Sequence, residues 1–228
     1  MSSHNGKDRA AELTAKGHDQ LKAGDYEGAL QLFSEAAEVY AHSSNHHGQV
    51  SQLQIIAEIY RLTNRIDQAI ATYTNLLELV ETMGDEEAQV RCLSNIGFLQ
   101  VMNKRYDQAL DFFQKALGIA ERLGNKQYMA QQWGNIGSVY RDMEESGKAL
   151  ENYNKALPLY EELSHKEGIA DQCTNIAYIH VMEKRFQEAL HWYRKALPLY
   201  KEIESREKAQ FTEQNIENLE ASLEKSGG

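Results

Sequence analysis

The sequence has little proline, little cysteine and no excess of positive charge. Two of its 228 residues are prolines, two are cysteines, and 34 acidic residues outnumber 24 basic ones. Scarce proline, together with abundant Leu, Ala, Glu, Lys and Gln, favours helices over strands. The net charge of −10 opposes non-specific binding to nucleic acid or to anionic membranes, although it does not exclude a local basic patch.

Long hydrophobic runs are also absent. No stretch reaches the roughly 18 apolar residues that a membrane-spanning helix requires, and residues 1–8 are polar, unlike the apolar core of a secretion signal. Cys92 and Cys173 both fall on apolar helical faces, so we expect buried thiols instead of a disulfide. These features predict a cytoplasmic protein that contacts neither membrane nor nucleic acid.

A period of 40 residues organises the chain. Segments that read like Tyr-Asp-Gln-Ala-Leu place an alanine at every fortieth position, namely at Ala29, Ala69, Ala109, Ala149 and Ala189. Three further columns keep the same step: a small residue twelve positions before each alanine, an aromatic four positions after it, and usually a second alanine seven positions after it. Such internal periodicity is typical of stacked helical repeats.

Within each repeat, apolar residues recur three and four positions apart, which predicts two helices, A and B. The A helices are expected at 7–22, 46–62, 86–102, 126–142 and 166–182. The B helices are expected at 26–42, 66–82, 106–122, 146–162 and 186–203. The small column lets the two helices of a pair approach each other closely.

The repeat pattern resembles that of the tetratricopeptide repeat family over roughly residues 7–203. The family signature is best met in the fourth repeat, by Trp133, Ile136, Gly137, Tyr140, Ala149, Tyr153 and Ala156. The common period of the family is about 34 residues, and the longer period found here is similar to that of kinesin light chains and LGN-type adaptors. HEAT and armadillo repeats also have periods near 40, but the small and aromatic columns speak against them. The resemblance implies an all-α, right-handed α-solenoid of five tandem helix-turn-helix repeats.

The predicted organisation has one main domain. We expect a flexible N-terminus (1–6), a single solenoid domain (7–204), a capping helix (205–225) and a flexible tail (226–228). The five repeats are expected at 7–45, 46–85, 86–125, 126–165 and 166–204. In the capping helix, an apolar stripe of Phe211, Ile216 and Leu219 is expected to cover the end of the stack, while polar residues solubilise its other side.

Asparagine recurs at one mid-helix position of the last three A helices, as Asn95, Asn135 and Asn175. Because its side chain competes with the backbone, asparagine is a mediocre helix former, so three copies need a reason. An amide can both donate to and accept from an extended peptide backbone, and the resemblance implies this use here. Alternatively, the amides bond to a neighbouring helix or reflect repeat ancestry. The first two repeats carry Ala15 and Ile55 instead.

Other A-helix positions complete a candidate peptide-binding site on the concave face that the resemblance implies. They are Arg61, Arg91, Phe98, Gln131, Ser138, Arg141 and Tyr178. The two aromatic side chains could form apolar pockets for ligand side chains. The three arginines suggest an acidic or C-terminal segment as ligand, because a guanidinium binds a carboxylate with two parallel hydrogen bonds. The alternative is salt bridging within the protein, for instance with Glu58 or Asp142.

Catalytic signals are missing from the sequence. It contains no phosphate-binding glycine loop, metal-binding motif or nucleophile elbow, so we expect neither an enzyme nor a bound cofactor or metal. The sequence predicts a protein–protein interaction module, an adaptor or scaffold that binds an extended or helical peptide segment of a partner in its concave groove. The alternative is a self-assembling protein that forms homo-oligomers through its groove or its terminal faces.

Overall fold

The computed structural model describes the backbone of residues 2–226 and the side chains of residues 8–224. This part of the chain forms eleven α-helices and no strand. In chain order the helices are α1 (Ser2–Lys22), α2 (Tyr26–His42), α3 (His46–Leu62), α4 (Ile66–Thr82), α5 (Glu86–Met102), α6 (Tyr106–Leu123), α7 (Lys126–Asp142), α8 (Ser146–Glu162), α9 (Lys166–Met182), α10 (Phe186–Glu202) and α11 (Arg206–Ser226). The predicted all-α class is confirmed.

The helix bounds agree with the predicted ones within one residue, except at the N-terminus. There α1 begins at Ser2 instead of residue 7. Residues 2–6 show no apolar periodicity, which is the signal on which the prediction depended. Of the two ends that we expected to be flexible, residue 1 and residues 227–228 lie outside the described part of the chain.

The chain divides into two compact units, although the sequence predicts one domain over 7–204. The first unit ends at Ala116 and the second starts at Leu117, inside α6. In the first unit, each helix from α1 to α4 packs against the next one along the chain. In the second unit, the same holds for each helix from α7 to α10. Each unit is therefore a succession of helices in which sequence neighbours are also neighbours in space.

The small column of the repeat allows the helices of a pair to pack closely. In the first unit, a Cβ atom added at Gly97 would lie 2.7 Å from the ring of Phe113. In the second unit, a Cβ atom added at Gly137 would lie 2.7 Å from the ring of Tyr153. Both rings are buried, so the aromatic residue of helix B fills the space that the glycine of helix A leaves. The small and aromatic columns are thus two sides of one contact.

A residue with positive φ ends every helix–helix turn, at intervals of 20 residues. Glycine occupies this position in three turns, for example Gly84 with φ of 69°. Non-glycine residues occupy it in the other seven, at Ser44, Asn64, Lys104, Glu144, Ser164, Lys184 and Glu204. At Gly84 the backbone N–H donates to the carbonyl of Glu81, which satisfies a carbonyl at the helix end. The fold imposes the same turn whether or not the sequence offers glycine.

The last helix, α11, differs from the prediction in the orientation of Phe211. Leu219 is buried and Ile216 is half-buried, as expected, but the side chain of Phe211 is 60% exposed. Five helical residues separate Phe211 from Ile216, which corresponds to a rotation of about 140° around the helix axis. The prediction that all three share one covering stripe is therefore wrong for Phe211, which faces a different side of α11.

The cysteine prediction is confirmed, since Cys92 and Cys173 are buried free thiols. Burial raises the pKa of each thiol to about 11. Both thiols therefore stay protonated and unreactive at neutral pH. Among the described residues, none of the helices combines the length and the apolar character needed to cross a bilayer.

Candidate functional site

Most of the predicted site residues lie on one face of the odd-numbered helices. On α5 this face carries Arg91, Asn95, Phe98 and Met102, all of which are exposed. Their spacing of four, three and four residues places them in line along the helix. We call these four positions of the odd-numbered helices from α3 to α11 the odd-helix stripe. It comprises Ser51, Ile55, Glu58 and Leu62 on α3; the four residues of α5; Gln131, Asn135, Ser138 and Asp142 on α7; Asp171, Asn175, Tyr178 and Met182 on α9; and Phe211, Asn215, Asn218 and Ser222 on α11.

Exposed apolar side chains concentrate on the odd-helix stripe. Among the described side chains, nine large hydrophobic ones are exposed, and six of these belong to the stripe. The six are Leu62, Phe98, Met102, Tyr178, Met182 and Phe211. The other three, Tyr26, Leu123 and Leu163, lie at the ends of the even-numbered helices α2, α6 and α8. A single exposed hydrophobic residue is ordinary, whereas three at equivalent positions of one unit, as each unit has here, are typical of an interaction surface.

In the first unit, the two predicted arginines lie beside carboxylates of their own helices. On α3, the Arg61 guanidinium donates from Nε to Oε2 of Glu58 at 2.8 Å and from Nη2 to Oε1 at 2.5 Å. These hydrogen bonds lower the pKa of the Glu58 carboxyl. On α5, Nη1 of Arg91 lies 4.0 Å from Oε2 of Glu87. Arg61 therefore forms the intrahelical salt bridge that was the alternative to ligand binding.

In the second unit, Arg141 links the faces of α7 and α9. It donates from Nη2 and Nε to Oδ1 of Asp142, at 2.8 and 3.0 Å. Its Nη1 also donates to Oδ1 of Asn175, at 3.4 Å, and its guanidinium carbon lies 5.9 Å from the centre of the Tyr178 ring. The structure thus brings three predicted site residues, Arg141, Asn175 and Tyr178, into one cluster.

The remaining predicted residues of the second unit have different surroundings. Asn135 is half-buried, and its Nδ2 donates to Oε1 of Gln132 across a long distance of 3.5 Å. Ser138 accepts a hydrogen bond from the buried Tyr153 hydroxyl at 3.2 Å, which points to a structural role. Gln131 is exposed on α7.

The structure adds Asn215 and Phe211 of α11 to the candidate site. Asn215 is half-buried, and its Nδ2 donates to the Phe211 carbonyl at 2.9 Å. Asn215 lies 40 residues after Asn175, so it continues the asparagine column into the last helix. Extending the repeat by one more period would have revealed it, but the weak apolar pattern of α11 concealed the register.

The pairing of the arginines affects the expected ligand charge. Arg61 and Arg141 each lie within hydrogen-bonding distance of an intrahelical carboxylate, so neither contributes a full positive charge to the surface. An acidic ligand would have to share or displace those carboxylates. Among the described residues, no three His, Cys, Asp or Glu side chains converge in a way that could hold a metal ion.

The fold is that of a protein built from tandem helix-turn-helix repeats, with exposed apolar side chains on its odd-numbered helices. A family model described as tetratricopeptide repeat matches residues 49–122, 86–162 and 128–202. The chain belongs to the tetratricopeptide repeat family, which confirms the resemblance seen in its sequence. No curated protein sequence matches the chain significantly.

Solved structures confirm the all-α repeat solenoid as the fold class. The apo form of RapI is similar with a TM-score of 0.80 and 17% identity, over 95% of this chain and 64% of RapI. A Rap protein complexed with Competence and Sporulation Factor has a TM-score of 0.60 and 16% identity, over 96% of this chain and 65% of that one. A putative kinesin light chain of Podosopora anserina with TPR-like repeats has a TM-score of 0.67 and 11% identity, over 86% and 97%. The present chain thus spans less than two thirds of either Rap protein.

Proposed function

We propose that this chain is a non-enzymatic protein-binding module whose odd-helix stripe holds a peptide segment of a partner protein. Tetratricopeptide repeats commonly mediate protein–protein interaction and are typically non-catalytic. The observation that carries the proposal is the location of six of the nine exposed large hydrophobic side chains on this one set of positions. Apolar side chains on a shared face contribute binding energy when a partner excludes water from them.

Amides beside the apolar residues supply the polar part of the proposed site. In the second unit, Asn135 lies on α7 and Asn175 on α9. The side chain of each takes part in a long hydrogen bond, of 3.5 and 3.4 Å respectively. Such long bonds are weak, and each amide has two donor hydrogens and an acceptor oxygen. A peptide backbone offers the complementary groups. The amides would therefore fix the backbone of the ligand, while Tyr178 contacts one of its side chains.

A Rap protein of the same fold was solved with Competence and Sporulation Factor bound. For the present chain this supports ligand binding by analogy alone, since fold does not determine the partner. We propose that the ligand segment is acidic. Arg61 and Arg141 would bind its carboxylates in place of the intrahelical carboxylates that they bond now. Arg141→Gln should then weaken binding of the ligand and reduce its dependence on salt.

The proposal is tested by comparing three forms of the protein in a pull-down from native lysate: wild type, the double variant Asn135→Ala/Asn175→Ala, and Asn154→Ala. Asn154 is an exposed asparagine of α8, outside the stripe, and serves as the matched control. We expect wild type and the control to capture a partner that the double variant loses. All three should melt within about 2 °C of one another, because the replaced amides make only weak bonds.

Two outcomes would contradict the proposal. If the folded double variant retains the partner at wild-type levels, the binding surface does not include these asparagines. Recovery of this chain alone, in an amount that depends on its concentration, would favour homo-oligomer formation instead.

A further inference from the structure

A pocket in the second unit lies at the α11 end of the odd-helix stripe. Its volume is about 420 Å³, and it is lined by Thr174 of α9, Tyr200 of α10, and Lys208, Phe211 and Thr212 of α11. Phe211 is a stripe residue, and its ring is 60% exposed. The pocket is therefore a continuation of the proposed recognition face onto the last helix.

Most polar groups of the pocket have partners within the protein. The Tyr200 hydroxyl donates to Oδ1 of Asp171 at 2.6 Å, and Lys208 Nζ donates to both oxygens of Asp171 at 2.8 and 3.0 Å. The Thr212 hydroxyl donates to the Lys208 carbonyl at 2.7 Å. With these groups satisfied, the exposed Phe211 ring is the main contact that remains for an incoming group. An apolar side chain therefore fits the pocket better than a polar one.

The size of the pocket restricts what it can hold. Pockets for small ligands range over roughly 300–1,000 Å³, and this one lies near the lower limit. It accommodates one large aliphatic or aromatic side chain with its adjacent backbone. A longer stretch of peptide would have to continue along the stripe.

The charges around the pocket indicate which residue should stand next to the bound apolar side chain in the ligand peptide. Lys208 Nζ bonds to the carboxylates of Glu167 and Asp171, and a third carboxylate, that of Glu207, also lines the pocket. The rim thus carries an excess of negative charge, which favours a cation nearby and disfavours an anion. This preference is opposite in sign to the one that Arg61, Arg91 and Arg141 suggest.

We infer that the pocket formed by Tyr200 and Phe211 binds one large apolar side chain of a partner peptide, next to a Lys or Arg of that peptide. This inference rests on the proposed function and names the ligand chemistry of one end of the same site. It also gives α11 a role in recognition, beyond covering the apolar face of α10. The expected occupant is a segment of another protein.

The test uses immobilised octapeptide libraries, in which one position is fixed as Leu, Phe or Ser and the next as Lys, Ser or Glu. The proteins compared are wild type, Phe211→Ser, Glu207→Lys, the double variant Asn135→Ala/Asn175→Ala, and the control Gln210→Ser. Gln210 is the exposed neighbour of Phe211 in the chain and does not line this pocket. Because Phe211 and Glu207 are exposed, their replacement leaves the fold intact.

We expect wild type and Gln210→Ser to bind Leu-Lys and Phe-Lys libraries about tenfold more than the Ser-Lys library, as removal of a buried apolar side chain predicts. Phe211→Ser should lose this first-position preference. Glu207→Lys should keep it but shift the second-position preference from Lys towards Glu.

The variants separate failure of the pocket from failure of the asparagine site. If the double variant loses the selected peptides while Phe211→Ser selects the same first position as wild type, the pocket inference is wrong and the stripe stands. If only Phe211→Ser loses the selection, the pocket stands and the asparagine proposal is wrong. Absence of any selection by wild type overturns both. A wild-type dimer that becomes monomeric in Phe211→Ser would show that the occupant is a second copy of this chain, contrary to the inference.

Discussion

The two units share one scaffold but carry different versions of the odd-helix stripe. In the first unit half of the stripe residues are apolar, among them the exposed Leu62, Phe98 and Met102, and the one asparagine, Asn95, is exposed. In the second unit all three helices of the stripe carry an asparagine of the 40-residue column, and these three amides are half-buried: Asn135, Asn175 and Asn215. Half-buried polar groups discriminate between ligands more strongly than exposed ones, because an unmatched group is costly once water is excluded. The stripe of the second unit is therefore suited to selecting a ligand by its polar groups, and that of the first unit to binding through apolar contact.

The largest expected effect tests whether the scaffold is the same in both units. Gly97→Ala and Gly137→Ala should each lower the free energy of unfolding by about 1–3 kcal/mol, because the added methyl group meets the ring of Phe113 or Tyr153 at 2.7 Å. Urea denaturation provides the measurement. Gly118→Ala, where no atom lies within 4 Å of the added carbon, is the control and should stabilise the protein by about 1 kcal/mol. Two losses that differ by more than about 2 kcal/mol would show that the scaffolds are not equivalent.

A second prediction compares the asparagines of the two units. Asn175→Ala should weaken binding of the captured partner by about 1.5 kcal/mol, whereas Asn95→Ala should weaken it by about 0.5 kcal/mol, since a group exposed to water loses less when its bond is removed. Isothermal titration calorimetry measures both. Equal losses, or a larger loss for Asn95→Ala, would remove the distinction between a selecting unit and an apolar one.

A third prediction concerns the positive-φ turns. Glu144→Gly, in the second unit, should raise the free energy of unfolding by about 1 kcal/mol, because a side chain at φ of 61° is strained. Asn64→Gly, in the first unit, should have a smaller effect, because asparagine tolerates this conformation better. Thermal melts distinguish the two, with a rise of about 2–4 °C expected for Glu144→Gly. A lower melting temperature for Glu144→Gly would contradict the assigned turn geometry.

The smallest expected effect is a pH dependence confined to the second unit. Burial lowers the pKa of His180, so the folded state favours the neutral ring. As the pH falls below about 6.5, the ordinary value for histidine, the unfolded state binds the proton first and stability is lost, until the lower folded-state pKa is passed. His180→Gln places in α9 the residue that α5 has at the equivalent buried position, Gln100. Urea titrations at pH 7.5 and 5.5 should show a smaller stability difference for this variant than for wild type; an equal difference would contradict the assignment to His180.

Much of the fold follows from the sequence because its repeats are so regular. The steric contact between Gly97 and Phe113 recurs between Gly137 and Tyr153, so one contact predicts the other. The prediction fails where periodicity is weak. The sequence predicts Phe211 on the apolar stripe of α11 with Ile216 and Leu219. Because the neighbours of Phe211 are polar, no apolar periodicity shows which side of the helix its side chain faces.

The candidate site is less predictable than the fold, because a long side chain has several possible hydrogen-bonding partners within reach. Arg61 and Arg141 lie on the helices where they were expected, but which carboxylate each one bonds depends on rotamers that spacing does not determine. Ser138 illustrates the same limit. Its position follows from the repeat, whereas its hydrogen bond with Tyr153 depends on the depth at which that ring packs.

The central claim, that the odd-helix stripe is the partner-binding surface, is tested most directly by site-specific photo-crosslinking. Benzoylphenylalanine replaces either Tyr178, which is on the stripe and 46% exposed, or Tyr26, which is off the stripe and 40% exposed. The two probes are therefore equally accessible and differ mainly in location. We expect a covalent adduct with a partner protein from position 178 and none from position 26. An adduct from position 26 alone, or from both positions in equal yield, would contradict it.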